Sequence, residues 1–500
     1  MGLTDEQKSV VQSSLDNKLT LVNSVAGSGK SHTLISVAEA HNNYKTRYLV
    51  FSREQMIESK MRFNKNVIIS TNDAMNFRYV VTLGLEMDNS TKTLKKTTDM
   101  VGIEQTTKRD FEPRFNLSQI KEDIPKRDKE KVKFWLEEYC KSRYLSVEDY
   151  CETEPKAMKR MELIKKYMNL MASKKIPACF DFNRKYMQIL THYNLIDFNL
   201  NLLMVDEFQD LNPCTLEIVS NMKVNRKVFV GDKDQLLFGF AGAIDGFKYL
   251  SHLEATRINL TKSFRVPVEI SKKIELFGKL YLDPDFTFVG TDGGILNDTT
   301  AYLSRTNSTL IQKMVELHKT GTPYRLTRKP NDIFSAVRTI MYLSKKGVDS
   351  NSQYSFLNRG IEDYFEGKTT AMSLFEHIKK EFSYHVEIQS AMGIVSSMGN
   401  KALEKVIKEA IANYKKPEYQ TAKTLCATSY TLKGKTLGVV HINKDVLPKD
   451  KLLDLAIEER TIEETQQFNN MYVAFSRCNG SQDTTLLDYA IQYKLNQGKR

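Results

Sequence analysis

Two short stretches of this 500-residue chain combine residue types suited to phosphate chemistry. In SVAGSGKS (24–31), Gly27 and Gly29 allow a tight turn, so that successive backbone N–H groups point inward at phosphate oxygens. The helix that begins there adds its positive N-terminal end. Lys30 would reach the β- and γ-phosphates, and the Ser31 hydroxyl would bind Mg²⁺. The strict pattern G-x-x-x-x-G-K-[ST] fails at its first position, where Ser24 replaces glycine. In VDEFQD (205–210), Asp206 would hold the metal, usually through its water, and Glu207 would polarise the attacking water.

These residues need rigid supports. LTLVNSV (19–25) reads as a buried strand leading into the glycine turn, and SHTLISVAEAHNNY reads as the helix after it. YLVFS (48–52), NVIIST (66–71), NLLMVDE (201–207) and KVFVGD (227–232) are further apolar strands, the last two ending in acidic residues. Apolar strands alternating with helical patterns predict an α/β fold with a parallel sheet and a site at the strands' carboxyl ends. Residues 85–180 interrupt this rhythm with basic, helical sequence, read either as a solvated face or as nucleic-acid contact. A second α/β rhythm starts near 255, with INLTKSF, ILNDTTAYLSRT and GVVHINKD as strand candidates, and 330–420 is again helical.

Hydrophobic residues make up 41% and charged residues 27%, as in globular proteins. Lys+Arg number 73 against 61 Asp+Glu, a net charge of +12 that suits a polyanionic partner. No apolar run approaches the ~20 residues of a membrane span. The N-terminus MGLTDEQKSV lacks the basic and apolar regions of a secretion signal. Cys140, Cys151, Cys179, Cys214, Cys426 and Cys478 are scattered without a C-x-x-C pair, so a reducing cytosol is expected rather than a zinc or disulfide framework.

LTDEQ (3–7), SVAGSGKS, VDEFQD, GDKDQLLFGFAGA (231–243), LTKSFR (260–265), YLSRTN (302–307), YTLKGKTLG (430–438) and NNMYVAFSR (469–477) follow one another in order. Together they resemble the UvrD/Rep/PcrA-like superfamily-one DNA helicases. The resemblance implies two RecA-like motor domains, at 1–84 with 181–254 and at 255–330 with 421–500. Each carries a mainly helical insertion, at 85–180 and 331–420. It implies an ATP-binding set of Gln7, Ala26, Gly27, Ser28, Gly29, Lys30, Ser31, His32, Phe264, Arg265, Gly434 and Arg477. Gln7 would read the adenine edge. Phe264 would stack on the base, unless it is a core phenylalanine. Arg265 and Arg477 would meet the charge that phosphoryl transfer spreads over the γ-phosphate oxygens, and Gln235 would sense that phosphate or its water. The catalytic set is thus Lys30, Glu207, Gln235, Arg265 and Arg477, with Ser31 and Asp206 on the metal.

On the DNA side the resemblance points to Phe51, Thr71, Phe240, Thr428 and Tyr430. Phe240 replaces the family's usual tryptophan and either stacks on bases or packs in the core. Tyr430 stands where histidine is common, and Thr436 where glutamate often contacts the ribose. The implied function is ATP- and Mg²⁺-dependent translocation on single-stranded DNA, with unwinding at single-strand/duplex junctions, usually 3′ to 5′. Replication or recombination proteins would be its partners. Cytoplasmic residence is expected, in a bacterial or phage-infected cell, and the short second insertion suits the compact members that phages encode. The alternatives are a translocase that displaces proteins or remodels forks, a 5′–3′ or bipolar helicase, and a non-catalytic nucleic-acid scaffold.

Overall fold

The computed structural model describes residues 2–88, 90–94, 109–239, 242–292, 298–345, 374–381 and 386–497. The chain divides into two compact units, Met1–Ser24 with Gly29–Leu260, and Val25–Ser28 with Thr261–Arg500.

In the first unit, α1 (Asp5–Asp16) starts on a reciprocal cap. The Thr4 hydroxyl accepts from Gln7 N, and Gln7 Oε1 accepts from Thr4 N. Six parallel strands follow: β1 (Leu19–Ser24), β2 (Thr46–Val50), β3 (Val67–Thr71), β6 (Leu202–Val205), β7 (Arg226–Gly231) and β8 (Thr256–Leu260). Their order is β3-β2-β6-β7-β1-β8. A short antiparallel pair, β4 (Met87–Asp88) and β5 (Thr93–Leu94), stands apart from this sheet.

Side chains alternate between the sheet's two faces. Leu21, Leu49, Leu203, Val205 and Phe229 point into one core, and Val22, Tyr48, Val50, Met204 and Val228 into another. The second core is closed by α1 through Val10 and by α2 (Lys30–Ala40) through Leu34 and Val37. The first is closed by helices Phe180–His192 and Pro213–Asn221 and, within the expected insertion, by Lys126–Lys141 and Met161–Ala172. Val132, Leu136 and Ile164 of those insertion helices belong to the same continuous core as Leu203 and Val205. The stretch is therefore fused to the sheet rather than hung from it. A buried Leu such as Leu203 contributes about 2 kcal/mol by burial alone.

The second unit holds a five-stranded parallel sheet, β9 (Thr300–Ser304), β10 (Arg325–Leu326), β11 (Thr424–Thr428), β12 (Leu437–Ile442) and β13 (Cys478–Gln482), ordered β10-β11-β9-β12-β13. Ala301, Leu303, Ala427 and Val440 pack under helices Val268–Tyr281 and Ile462–Phe475. Cys426 faces the other way, toward helices Asn307–Lys319, Ser335–Ser344 and Val386–Tyr414. The architecture is α/β, with two parallel sheets of RecA-like character.

One boundary differs from the sequence expectation. The second rhythm, expected from 255, begins only after Leu260. Thr256–Leu260 pairs with Thr20–Ser24 of β1 and so completes the first sheet. All six cysteines are buried with free thiols. Among the described residues no helix is long and apolar enough to cross a membrane.

Candidate functional site

Three strand ends of the first sheet carry the polar residues, and β7 lies between the other two, β6 and β1. After β1 the chain turns through Gly27 (φ 77°) and Gly29 (φ 80°), both left-handed, and α2 begins at Lys30. Lys30 Nζ lies 3.5 Å from Glu207 Oε2, an ion pair with both side chains largely shielded from water. Glu207 itself has φ 49°, a left-handed conformation rare outside glycine, held where strand β6 breaks into the next turn. Gln209 joins two strand ends: its Nε2 donates to Glu207 Oε2 at 2.6 Å, and its Oε1 accepts from Asp232 N at 2.9 Å. Gly231 makes room for it, because a Cβ there would lie 2.3 Å from Gln209 Oε1. Gln235 donates from Nε2 to Asp232 Oδ2 at 2.6 Å, and Asp232 also accepts from Asp234 N, which shapes the turn after β7.

Asp206 is buried and held at both oxygens. Tyr48 Oη donates to Oδ2 at 2.6 Å, and Glu207 N donates to Oδ1 at 2.9 Å. Burial and the Glu207 charge push its carboxyl above the usual range, against the pull of Lys30. Two crowded carboxylates form a site that a divalent cation would relieve. Asp206 and the hydroxyl of Ser31, the residue after Lys30, are the hard oxygens that Mg²⁺ takes, so the donor types fit that ion.

In the second unit the Val25–Ser28 segment is clasped by main-chain and hydroxyl groups. Ala26 N donates to Tyr472 Oη at 2.9 Å, Ser263 Oγ donates to Ala26 O at 2.7 Å, and Phe264 N donates to Gly27 O at 2.9 Å. A Cβ on Gly27 would come within 2.7 Å of Arg265 Cβ, so only glycine fits. Arg265 is held by three oxygens: Nε donates to Thr436 Oγ1, Nη1 to Ser476 O and Nη2 to Gly434 O, at 2.9, 3.2 and 3.3 Å. Gly434 takes φ 81° to present that carbonyl. Arg477, 1% exposed, donates from Nε to Val473 O and from Nη2 to Ser476 Oγ, both at 2.9 Å.

Residues 3–252 match the family model of the UvrD/REP helicase N-terminal domain. The chain belongs to this family. It is also similar to F-box DNA helicase protein 1 of Schizosaccharomyces pombe, 21% identical over 514 residues that cover 95% of this chain and 56% of that protein. The chain thus spans little more than half the length of that relative.

Set against the UvrD/REP pattern, the remaining expected residues fall in different surroundings. Gln7 sits in the α1 cap, where its amide oxygen already serves Thr4 N, so one of that oxygen's two lone pairs is engaged. Ser28 is buried, Ser31 half-buried and His32 exposed on the first turn of α2. Phe264 is half-buried with Lys262 Nζ 5.6 Å above its ring, and it lies outside the apolar clusters of the described residues. That disfavours its reading as a core phenylalanine. Thr436 accepts from Arg265, a role the sequence did not suggest. Phe51 is 41% exposed and stacks on Phe238 at 5.2 Å. Thr71 caps helix α4 (Asn72–Phe77) by accepting from Ala74 N. Thr428 is buried at the end of β11, and Tyr430 is half-buried with its phenol pushed up by burial against the pull of Arg305. Phe240 lies outside the described residues.

Tyr48 and Gln209 were missed from sequence. Gln209 stood inside VDEFQD, and an amide two residues past a carboxylate was its signal. Tyr48 was an aromatic with a polar tip inside an apolar strand, a residue whose hydroxyl must find a partner when buried.

Proposed function

We propose that this chain is an ATP-dependent DNA helicase motor that moves along single-stranded DNA, 3′ to 5′. The observation that carries the reading is the Lys30–Glu207 pair beside Asp206 at the carboxyl edge of the first sheet. In that reading Lys30 leaves Glu207 for the terminal phosphates of ATP. Glu207, still steadied by Gln209, then orients water for attack in line with the leaving oxygen. Mg²⁺ held through Asp206 and Ser31 would supply charge neutralisation on the phosphate oxygens. Gln235, tied to Asp232, links the state of the phosphate to the β7 turn. Arg265 and Arg477 supply the cations that phosphoryl transfer needs. Family membership, the similarity to a protein named as a DNA helicase and the +12 charge support DNA as the track. The VDEFQD tetrad supports the 3′–5′ direction. Phe51, exposed beside Phe238, offers a ring face to a base.

The test is unwinding of two duplexes, one with a 3′ tail and one with a 5′ tail, with ATP and Mg²⁺, beside Lys30→Ala. Strand separation from the 3′-tailed duplex alone, absent in the variant, is the expected result. Separation from the 5′ tail alone would reverse the polarity. DNA-stimulated hydrolysis without separation of either duplex would favour a translocase.

A further inference from the structure

We infer that Tyr48 is a positioning residue for the Asp206 carboxylate and thereby sets the affinity of the nucleotide site for Mg²⁺. This deepens the nucleotide-site reading and rests on it. Strand alternation places Tyr48 and Met204 in register on one face of β2 and β6, and Asp206 follows two residues later on that same face. That step from strand to strand suits a long, rigid phenol and is beyond a short side chain. Tyr48 Oη closes it with a 2.6 Å hydrogen bond to Oδ2.

The phenol has little freedom. Tyr48 is 1% exposed, and its ring packs on Phe63 with centroids 4.7 Å apart. Strand β2 grips Asp206 a second time, because Leu49 O accepts from Asp206 N at 3.0 Å. With Glu207 N on Oδ1, each carboxylate oxygen carries one fixed donor and the carboxylate plane cannot rotate. An ionised carboxylate offers about four lone-pair directions. Tyr48 and Glu207 N take two, and the two that remain are aimed before any metal arrives. Such outer partners typically carry 10- to 100-fold in metal affinity.

Tyr48→Phe removes the donor and keeps the ring against Phe63. The measurement is the ADP-induced rise in melting temperature of the full chain as MgCl₂ is titrated, with Mn²⁺ binding by electron paramagnetic resonance beside it. For Tyr48→Phe the Mg²⁺ midpoint should move up about tenfold while ADP binding without metal stays unchanged. Tyr48→Met, which also lacks the donor, should move the midpoint in the same direction, and it carries the test should Tyr48→Phe not fold. A folded Tyr48→Phe protein with the wild-type Mg²⁺ midpoint would overturn the inference alone. Wild-type protein whose ADP response ignores Mg²⁺ would overturn the nucleotide-site reading beneath it.

Discussion

The polar residues gathered at the edge of the first sheet and the two arginines of the second unit bond different kinds of partner. In the first, side chains neutralise one another: Lys30 pairs with Glu207, Gln209 bonds the same carboxylate, and Tyr48 bonds Asp206. In the second, Arg265 and Arg477 donate to neutral oxygens, among them the carbonyls of Gly434, Ser476 and Val473 and the hydroxyls of Thr436 and Ser476. A carbonyl orients a guanidinium without cancelling its charge. The first unit stores a balanced set that a charged ligand must rearrange. The second orients its two guanidiniums through carbonyl and hydroxyl oxygens.

The sharpest way to break this comparison is Glu207→Gln. The amide keeps shape and hydrogen bonding but cannot pair with Lys30 as a charge or act as a base. DNA-stimulated ATP hydrolysis should fall by about 10³-fold, within the range a general base supplies, while nucleotide binding persists. Normal turnover in a steady-state ATPase assay would remove Glu207 from the chemistry.

Arg477→Lys and Arg265→Lys test the other side. A lysine preserves the charge and loses the planar fork. Each should cost on the order of 10³-fold in kcat, the low end for a transition-state arginine. They should differ in stability. Arg477 is buried and bonds Val473 and Ser476, so its replacement leaves buried acceptors unpaired, at about 1–3 kcal/mol, and lowers Tm. Arg265 is only half-buried, and its replacement should leave Tm nearly unchanged in differential scanning calorimetry. Equal Tm losses would mean that the two arginines are not distinguished by burial.

Much of the first unit was legible because its signals are local. A glycine turn between strand and helix, and acids at the end of an apolar run, span few residues and need no knowledge of the rest of the chain. The capping role of Gln7 was equally local, since Thr4-x-x-Gln7 is a helix-start pattern, yet the resemblance drew attention to adenine instead. What stayed hidden is long-range. Nothing in TRINL says which sheet it joins; its pairing with β1 is fixed by packing across more than 230 residues. The Tyr48–Asp206 bond joins residues 158 apart, and the Arg265–Thr436 bond residues 171 apart. Partner choice over such distances belongs to topology, which composition and periodicity do not encode.

The smallest expected effect tests whether the contrast is one of sign or of chemistry, because the second unit also holds half-buried carboxylates. Glu387, on helix Val386–Tyr414, accepts from Asn307 N and Nδ2 at 3.0 and 3.2 Å, at the N-terminus of helix Asn307–Lys319. Beside it, Asp445 accepts from the N–H groups of Arg305 and Thr306. Burial pushes the Glu387 carboxyl up to about 7; Asp445 adds to the rise, and the Asn307 bond, Arg328 and Arg305 oppose it. Once the contact opens, Glu387 loses its proton near the ordinary 4.5, whereas in the closed contact it keeps the proton until about 7. Closure is therefore fully stable below the lower value, weakens as pH rises between the two, and is level above the upper one. The loss is roughly 3 kcal/mol at 1.36 kcal/mol per unit, less where water screens the group. Glu387→Gln is neutral throughout, so it should abolish this slope and strengthen the contact above pH 7. Hydrogen exchange at the amides of 307–309, corrected for intrinsic rates, reads the difference. The same isosteric change that disables Glu207 should thus stabilise the protein at Glu387. If both variants lose stability equally at pH 8, the second unit balances its acids as the first does, and the distinction between the two kinds of partner does not hold.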